Sequence, residues 1–443
     1  MDVLQNLLTR CFTSRNSVLH IRGKSITSLA NQYGTPLFVY DRDAMDEKLE
    51  AVRNLLPEFD VYYSVKANPN LAILRHFALR GCGLEIASGG EFIQALAAGC
   101  PRERIVMAGA GKTNSDLELA LSGGVGEVHI DSPSEAARIA AICSRLGIRA
   151  RVGVRVNPTV PEGEPTLCGS TPCGVDEEKL DSLVQILLST ECFNVCGIHM
   201  FAAREVLDYS LLIRQYRKAL EIARTVVSRT GRPLQTIDFG GGIGIPYFAD
   251  DTELDLRSLG REVALLMEDA RKDPAFQGTR FVIEPGTFLV GEAGIYVARI
   301  VDIKKSRGKK FLILDGGMNH HLAASGIFAE KRRRNYPVAL LEKLNHEPSE
   351  QVEVVGPLCT PRDTLGRNVT LPRAEIGELV GILQSGAYAR SASPLSFVSH
   401  NTPVEVWIDR GEDFLIRSRG CTEDFMRDVS VPPRLAASSA TAR

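Results

Sequence analysis

Eight short apolar runs, each closing on a polar or glycine-rich turn, follow one another from about residue 60: DVYYSVKAN, LEIASGGE, RIVMAG, EVHIDS, RVGVRVNP, GIHMFAA, TIDFGGG and FVIEPG. Helix-like stretches separate them, several with start and stop signals. SGGEFIQALAAG carries Ser88 and Glu91 at capping-box spacing and Gly99 as a stop, and SPSEAARIAAICSRLG offers Ser132, then Pro133 in the first turn, then Glu135. Strand followed by helix, eight times over, predicts an α/β fold of the (β/α)8 barrel type across residues 43–298 rather than an open sheet. After about residue 299 the texture changes: YVARIVDIKKS, KKFLILDGG, QVEVVGPLC, IGELVGILQSGAY and TPVEVWIDR are β-rich runs without long helices between them. They predict an antiparallel β-sheet domain over 299–428, which the segment 1–42, with SVLHIRG and PLFVYD, is expected to join. The small, polar composition of 429–443 predicts a disordered tail.

Composition narrows the class. With 443 residues, 44% of them hydrophobic and 24% charged, the chain can bury two cores. A net charge of −2 with scattered Lys and Arg gives no electrostatic argument for nucleic acid or an anionic membrane, and the cluster Lys331–Arg334 reads as a solvated surface segment. The ten cysteines form no regular framework, and neither Cys168/Cys173 nor Cys192/Cys196 makes paired C-x-x-C knuckles. Adjacent His320 and His321 could not both face one ion from a regular strand. No metal is expected, and reduced thiols suit a cytoplasmic protein. No apolar run approaches the ~20 residues that span a bilayer, and the N-terminus lacks a secretory core, although its Arg/Ser content leaves a transit peptide open.

In a barrel of this kind the βα loops converge at the C-terminal ends of the strands, where the active site lies. Lys66, Glu85, Arg155, His199, Asp238 and Glu284 all fall at or near those ends, and Lys66 closes the first strand. A lone lysine beside a loop is ordinarily a surface residue, so its company matters. Gly240, Gly241 and Gly242 directly follow the seventh strand, where exposed backbone N–H groups can cradle a phosphate dianion. The spacing is not G-x-G-x-x-G, and the Lys and Ser/Thr of a P-loop are missing. Glu284 ends the eighth strand in IEPG. A lysine, a phosphate nest and a carboxylate so placed suit pyridoxal phosphate: the lysine carries the cofactor, the glycines hold its phosphate, and the carboxylate keeps the pyridine nitrogen protonated.

In YYSVKANPN, EIASGGE, HIDSPSE, GIHMF, IDFGGGIGIPY, IEPGTFLVGEAG, LDGGMNHHLAASG, GPLCTPRD and SGAY, in that order, the chain resembles the fold-type III pyridoxal-phosphate decarboxylases of diaminopimelate, ornithine and arginine. The resemblance spans nearly the whole length. It implies a homodimer with active sites shared between one subunit's barrel and its partner's β-domain. It makes Lys66 the cofactor-bearing lysine, Glu284 the partner of the pyridine nitrogen, and Gly240–Gly242 with Tyr388 the phosphate ligands. Glu85 stands where the family has an acid beside the lysine. Cys359, from the second subunit, would return a proton to Cα after CO2 departs.

Four departures from the family pattern bear on substrate. Thr360 occupies the position after the cysteine where relatives carry Asp or Glu for a distal ammonium; a hydroxyl cannot supply that charge-assisted bond, worth ~1.5–3 kcal/mol. Arg362, two residues on, could meet a carboxylate, or it could be a solvated loop arginine. Phe201 replaces the histidine that stacks on the cofactor ring, Arg204 the phosphate-binding serine, and Thr287 the arginine after EPG. One cation lost at Thr287 and one gained at Arg204 suggest that Arg204 neutralises the phosphate or a substrate anion. GPLCT with GGMNHHLAASG is most similar to the subgroup of siderophore and antibiotic assembly, which implies an α-decarboxylase of an amino acid or conjugate, carrier-protein-tethered substrates included. The alternatives are a decarboxylase of a free amino acid, diaminopimelate foremost, and a non-catalytic decarboxylase-like binding protein. The length and Cys359 argue against an alanine racemase.

Overall fold

In a computed structural model, residues 3–159, 171–201, 203–326 and 334–436 are described. The chain divides into two compact units, one holding Asp43–Ala293 and Gly386–Ser391, the other Leu4–Arg42, Gly294–Ser385 and the chain from Ala392 on. The N-terminal strand β1 (Leu37–Asp41) belongs to the second unit.

The first unit opens with α1 (Arg42–Leu55) and then runs through eight parallel strands: β2 (Asp60–Ser64), β3 (Gly83–Ile86), β4 (Ile105–Met107), β5 (Glu127–Ile130), β6 (Ala150–Asn157), β7 (Phe193–Met200), β8 (Thr236–Asp238) and β9 (Arg280–Ile283). Each pairs with the next, and β9 closes on β2 through Val282–Asp60 and Ile283–Val61. This is the (β/α)8 barrel expected from the eight apolar runs. Helices α2 (Leu71–Leu79), α3 (Gly89–Ala97), α4 (Asn114–Ser122), α5 (Pro133–Leu146), α6 (Leu180–Ser189), α7 (Tyr209–Thr230) and α8 (Leu256–Lys272) connect the strands. The eighth repeat has only one turn, α9 (Thr287–Val290), so α1 ahead of the first strand supplies the long helix that the last repeat lacks.

The helix-start signals work, with a shift. Ser88 and Ser132 accept the N–H groups of Glu91 and Glu135 as N-caps, but the two glutamates reach past the caps to the N–H groups of Ala87 and Asp131. Each acid thereby ties down the residue before the cap, next to the strand end. Glu135 also pairs at 2.9 Å with the buried Lys112, which reaches Asp131 at 3.0 Å.

The second unit is a sheet of β1 with β10 (Gly294–Ser306), β11 (Lys309–Leu314), β12 (Val338–Leu340), β13 (Glu350–Val355), β14 (Thr364–Leu371), β15 (Leu379–Ile382), β16 (Val404–Asp409) and β17 (Glu412–Arg417). The order β14–β13–β11–β10–β1–β16–β17 is mainly antiparallel, with β15 against β10 and β12. Two pairings, β11 with β13 and β1 with β16, are parallel, a departure from the expected antiparallel sheet. Both join strands separated by long connections, which a parallel crossover requires and a hairpin does not. The segment 429–436 is largely exposed and includes one helical turn from Pro433; the remainder of the predicted tail, Cys168 and Lys331–Arg333 lie outside the described residues. Among the described residues no helix is long and apolar enough to cross a membrane.

Candidate active site

The strand β2 stops at Ser64, and Lys66 sits in the single 3-10 turn Val65–Ala67 that follows. The strand therefore ends two residues before the lysine expected to close it, and Lys66 lines the cavity at the barrel mouth from the turn. Its Nζ lies 2.6 Å from Glu85 Oε2 on β3, and the Ser64 hydroxyl donates to the same oxygen at 2.5 Å. Burial disfavours charge on Lys66, but the Glu85 carboxylate, with Tyr388 and Glu284, outweighs it and holds the ammonium above its ordinary range.

Lys66, Glu85, Arg155, His199, Phe201, Arg204, Gly241, Gly242, Glu284 and Tyr388 line one cavity of ≈ 250 Å³ within the barrel unit, together with Glu205 and Thr287. Tyr388 belongs here, although the sequence places it in the β-domain: Gly386–Ser391 returns to the barrel unit, and the Tyr388 N–H donates to Ala67 O next to the lysine. Gly386 fits this return because a Cβ there would lie 1.7 Å from Val290 O. Burial pushes the Tyr388 phenol up to about 12, against the pull of Lys66.

Under the cavity lies a column of buried ionisable groups. His199 Nε2 is 3.4 Å from Glu284 Oε2, and the ring of His199 packs 4.6 Å from that of His129, whose Nε2 is 3.4 Å from Glu127 Oε1. Burial lowers the His199 imidazolium to about 4, so the ring is neutral at pH 7. Burial also works against charge on Glu284, but His199, Lys66 and Asp238 favour it and carry the carboxyl well below the ordinary range. Burial and the Glu284 charge push Asp238 the other way, above the ordinary carboxyl range. Sequence reading passed over Glu127 and His129. The signal was present, since two polar residues at i and i+2 in EVHI share one face of a barrel strand. His129, His199, Asp238 and Glu284 each present one potential metal-ligand atom, all within 4.8 Å of one another.

The glycine loop divides its labour. The Gly240 N–H is taken by Asp238 Oδ1 at 2.8 Å and so does not serve a phosphate, contrary to its predicted role. Gly241 and Gly242 line the cavity where a Cβ would press on Glu284 O and Ala203 O, each at 2.7 Å. Thr287 donates to Glu205 Oε1 at 2.8 Å, a partner that the sequence reading did not name.

Cys359, Thr360 and Arg362 lie in the sheet unit, on the turn Gly356–Asp363 between β13 and β14. Asp363 folds this turn: one carboxylate oxygen accepts Leu358 N and the other Met318 N, which leaves Cys359 exposed at the tip.

The cavity fits pyridoxal phosphate on its own geometry: an amine over the mouth, two glycines in its wall packed so closely on backbone carbonyls that no Cβ fits, and the buried Glu284 Oε1, without a hydrogen-bond partner among the described residues, available to an N–H. Residues 42–291 match the family model described as the pyridoxal-dependent decarboxylase, pyridoxal binding domain. The chain is 35% identical over 408 residues to the L-glutamyl-[BtrI acyl-carrier protein] decarboxylase of Niallia circulans, covering 90% of this chain and 95% of that one. A diaminopimelate decarboxylase of Neisseria meningitidis is 32% identical, with 90% and 95% covered. The crystal structure of the M. jannaschii diaminopimelate decarboxylase with L-lysine superposes with a TM-score of 0.89 at 28% identity, over 96% of this chain and 99% of that one. This chain therefore belongs to the pyridoxal-dependent decarboxylases, enzymes of the fold-type III class that work with pyridoxal 5′-phosphate.

Proposed function

We propose that the enzyme removes the α-carboxylate of an aminoacyl group whose far end carries no ammonium, such as a glutamyl group held on a carrier protein, in the assembly of a secondary metabolite. The observation that carries this reading is Thr360 at the tip of the Asp363-braced turn, directly after Cys359. A threonine hydroxyl leaves a distal ammonium without its counter-charge, and the carrier-protein decarboxylase of Niallia circulans is similar along nearly its whole length.

The cofactor supplies the electron sink for the bond to CO2. Lys66 would hold it, the charged Glu284 would support a protonated ring nitrogen, and Phe201 would offer an apolar face to the ring. Gly241, Gly242, Arg204 and Tyr388, on the same cavity wall, would hold the phosphate. Cys359 of the partner subunit would deliver a proton to Cα, so the working form is a homodimer with shared sites. All nine described cysteines are free, in keeping with a reducing, cytoplasmic setting.

The test is CO2 release with added pyridoxal phosphate across free diaminopimelate, lysine, ornithine, arginine and glutamate, and across carrier-linked aminoacyl groups. Turnover of the carrier-linked groups alone is expected. Turnover of free diaminopimelate would favour the second reading, which the diaminopimelate decarboxylases among the relatives support. A protein that takes up no cofactor and turns over nothing would be a binding protein instead.

A further inference from the structure

The phosphate end of the cavity contains a carboxyl group that a phosphate dianion would repel. Glu205 follows Arg204 in the loop between β7 and α7, with φ at 52°, in the left-handed region. This loop runs beside the glycine loop: Val206 N donates to Gly242 O at 2.8 Å and Gly244 N to Val206 O at 3.1 Å. A Cβ on Gly244 would lie 2.6 Å from the Glu205 carbonyl carbon. The carboxyl is fixed from two further sides, by the Thr287 hydroxyl at 2.8 Å and by the backbone N–H of Ile245. Glu205 thus belongs to the same wall as Gly241 and Gly242 and shows its free face to the cavity.

We propose that Glu205 is a proton-linked ligand of the cofactor phosphate: it engages the phosphate as a neutral carboxyl, so that each phosphate bound brings one proton from solvent onto Glu205. The proposal rests on the reading of this cavity as the pyridoxal-phosphate site. A protonated carboxyl becomes an O–H donor to a phosphate oxygen, whereas a carboxylate is an acceptor only. The charged and titratable groups around it divide: Arg204 on its own loop favours the carboxylate, while Asp251, on the turn after the glycine loop, and the phenol of Tyr388 do not. Burial among these elements already brings Glu205 up to about 7, with Thr287 and Arg204 opposing, so an incoming dianion has little further to push. Thr287, which stands where relatives carry an arginine, then acts as a positioning residue, because it holds the carboxyl in place by donating to one oxygen and leaves the other for the proton.

The experiment is titration calorimetry of the full-length protein with pyridoxine 5′-phosphate, whose alcohol cannot condense with Lys66, in two buffers of different ionisation heat at pH 8. There the phosphate is a dianion, its second pKa being about 6. The wild type should take up about one proton per probe bound, and its Kd should rise up to about tenfold between pH 7.5 and 8.5. Glu205→Gln, of the same size and able to donate, should bind with no such uptake and a flat profile. Equal proton uptake in both proteins, or none in the wild type, overturns the proposal while leaving the cofactor site intact. Binding by the wild type alone overturns the proposal, since the neutral amide should replace the neutral carboxyl, whereas failure of both proteins to bind the probe overturns the cofactor reading of the cavity and the proposal with it.

Discussion

Lys66 Nζ and Glu85 Oε2 lie 2.6 Å apart, and Ser64 holds the same carboxylate oxygen from the strand end. The pair keeps the resting lysine charged, whereas attack on the cofactor needs the neutral amine. Glu85→Gln removes the main support for the ammonium, so covalent attachment of pyridoxal phosphate should begin at lower pH than in the wild type. Visible absorbance of the attached cofactor against pH reads the midpoint; an unchanged midpoint would mean that Tyr388 and Glu284 suffice.

Restoring an acid after Cys359 should redirect the enzyme. Thr360→Asp offers a distal ammonium a charge-assisted bond of ~1.5–3 kcal/mol, which corresponds to a gain of roughly ten- to a hundredfold in kcat/KM for free diaminopimelate or lysine. Turnover of a carrier-linked glutamyl group should fall in the same variant. The comparison of CO2 release with the two substrate types checks both directions.

Arg204 and Thr287 line the same cavity, whose glycine wall is proposed to hold the cofactor phosphate. Arg204→Ala should loosen pyridoxal phosphate about tenfold, the loss of a charge-assisted contact. Equilibrium dialysis measures it, and unaltered affinity for both cofactor and substrate would make the Arg204/Thr287 exchange a coincidence.

In the sheet unit His321 is wholly buried, with Nε2 2.9 Å from Ser385 Oγ, and burial alone lowers its imidazolium to about 3. The unfolded chain regains an ordinary imidazole near 6.5 and binds a proton that the fold rejects. Stability is therefore complete above pH 6.5 and declines as pH falls from there towards 3, by on the order of 3 kcal/mol or more for this group. His199, lowered to about 4, adds a decline over the upper part of the same window. His321→Gln should flatten the fall in denaturation midpoint between pH 6.5 and 5; a slope equal to the wild type's would assign the effect to other groups.

The barrel was legible because strands buried on both faces read as continuous apolar runs, and all eight appear in order. Lys66, Gly241, Gly242 and Glu284 were legible as residues of the cavity wall because each closely follows such a run. Three features were not. Tyr388 lies more than 300 residues from Lys66 in sequence, and nothing local in SGAY says that it leaves the sheet unit. The Gly240 N–H is claimed by Asp238, a contact two residues away that depends on backbone geometry at the strand end. Glu205 was not legible because its hydrogen bond with Thr287 joins residues 82 apart in the chain.

The return of Gly386–Ser391 to the barrel unit also fixes an order of events during synthesis. Chains leave the ribosome N-terminus first, and the eight barrel strands are complete by Ile283. Tyr388 and its bond to Ala67 arrive only after the strands up to β15 have been made. A nascent barrel thus has its lysine and glycine loop in hand while one wall of the cavity is still missing. The cavity acquires its full wall only once translation has passed Tyr388.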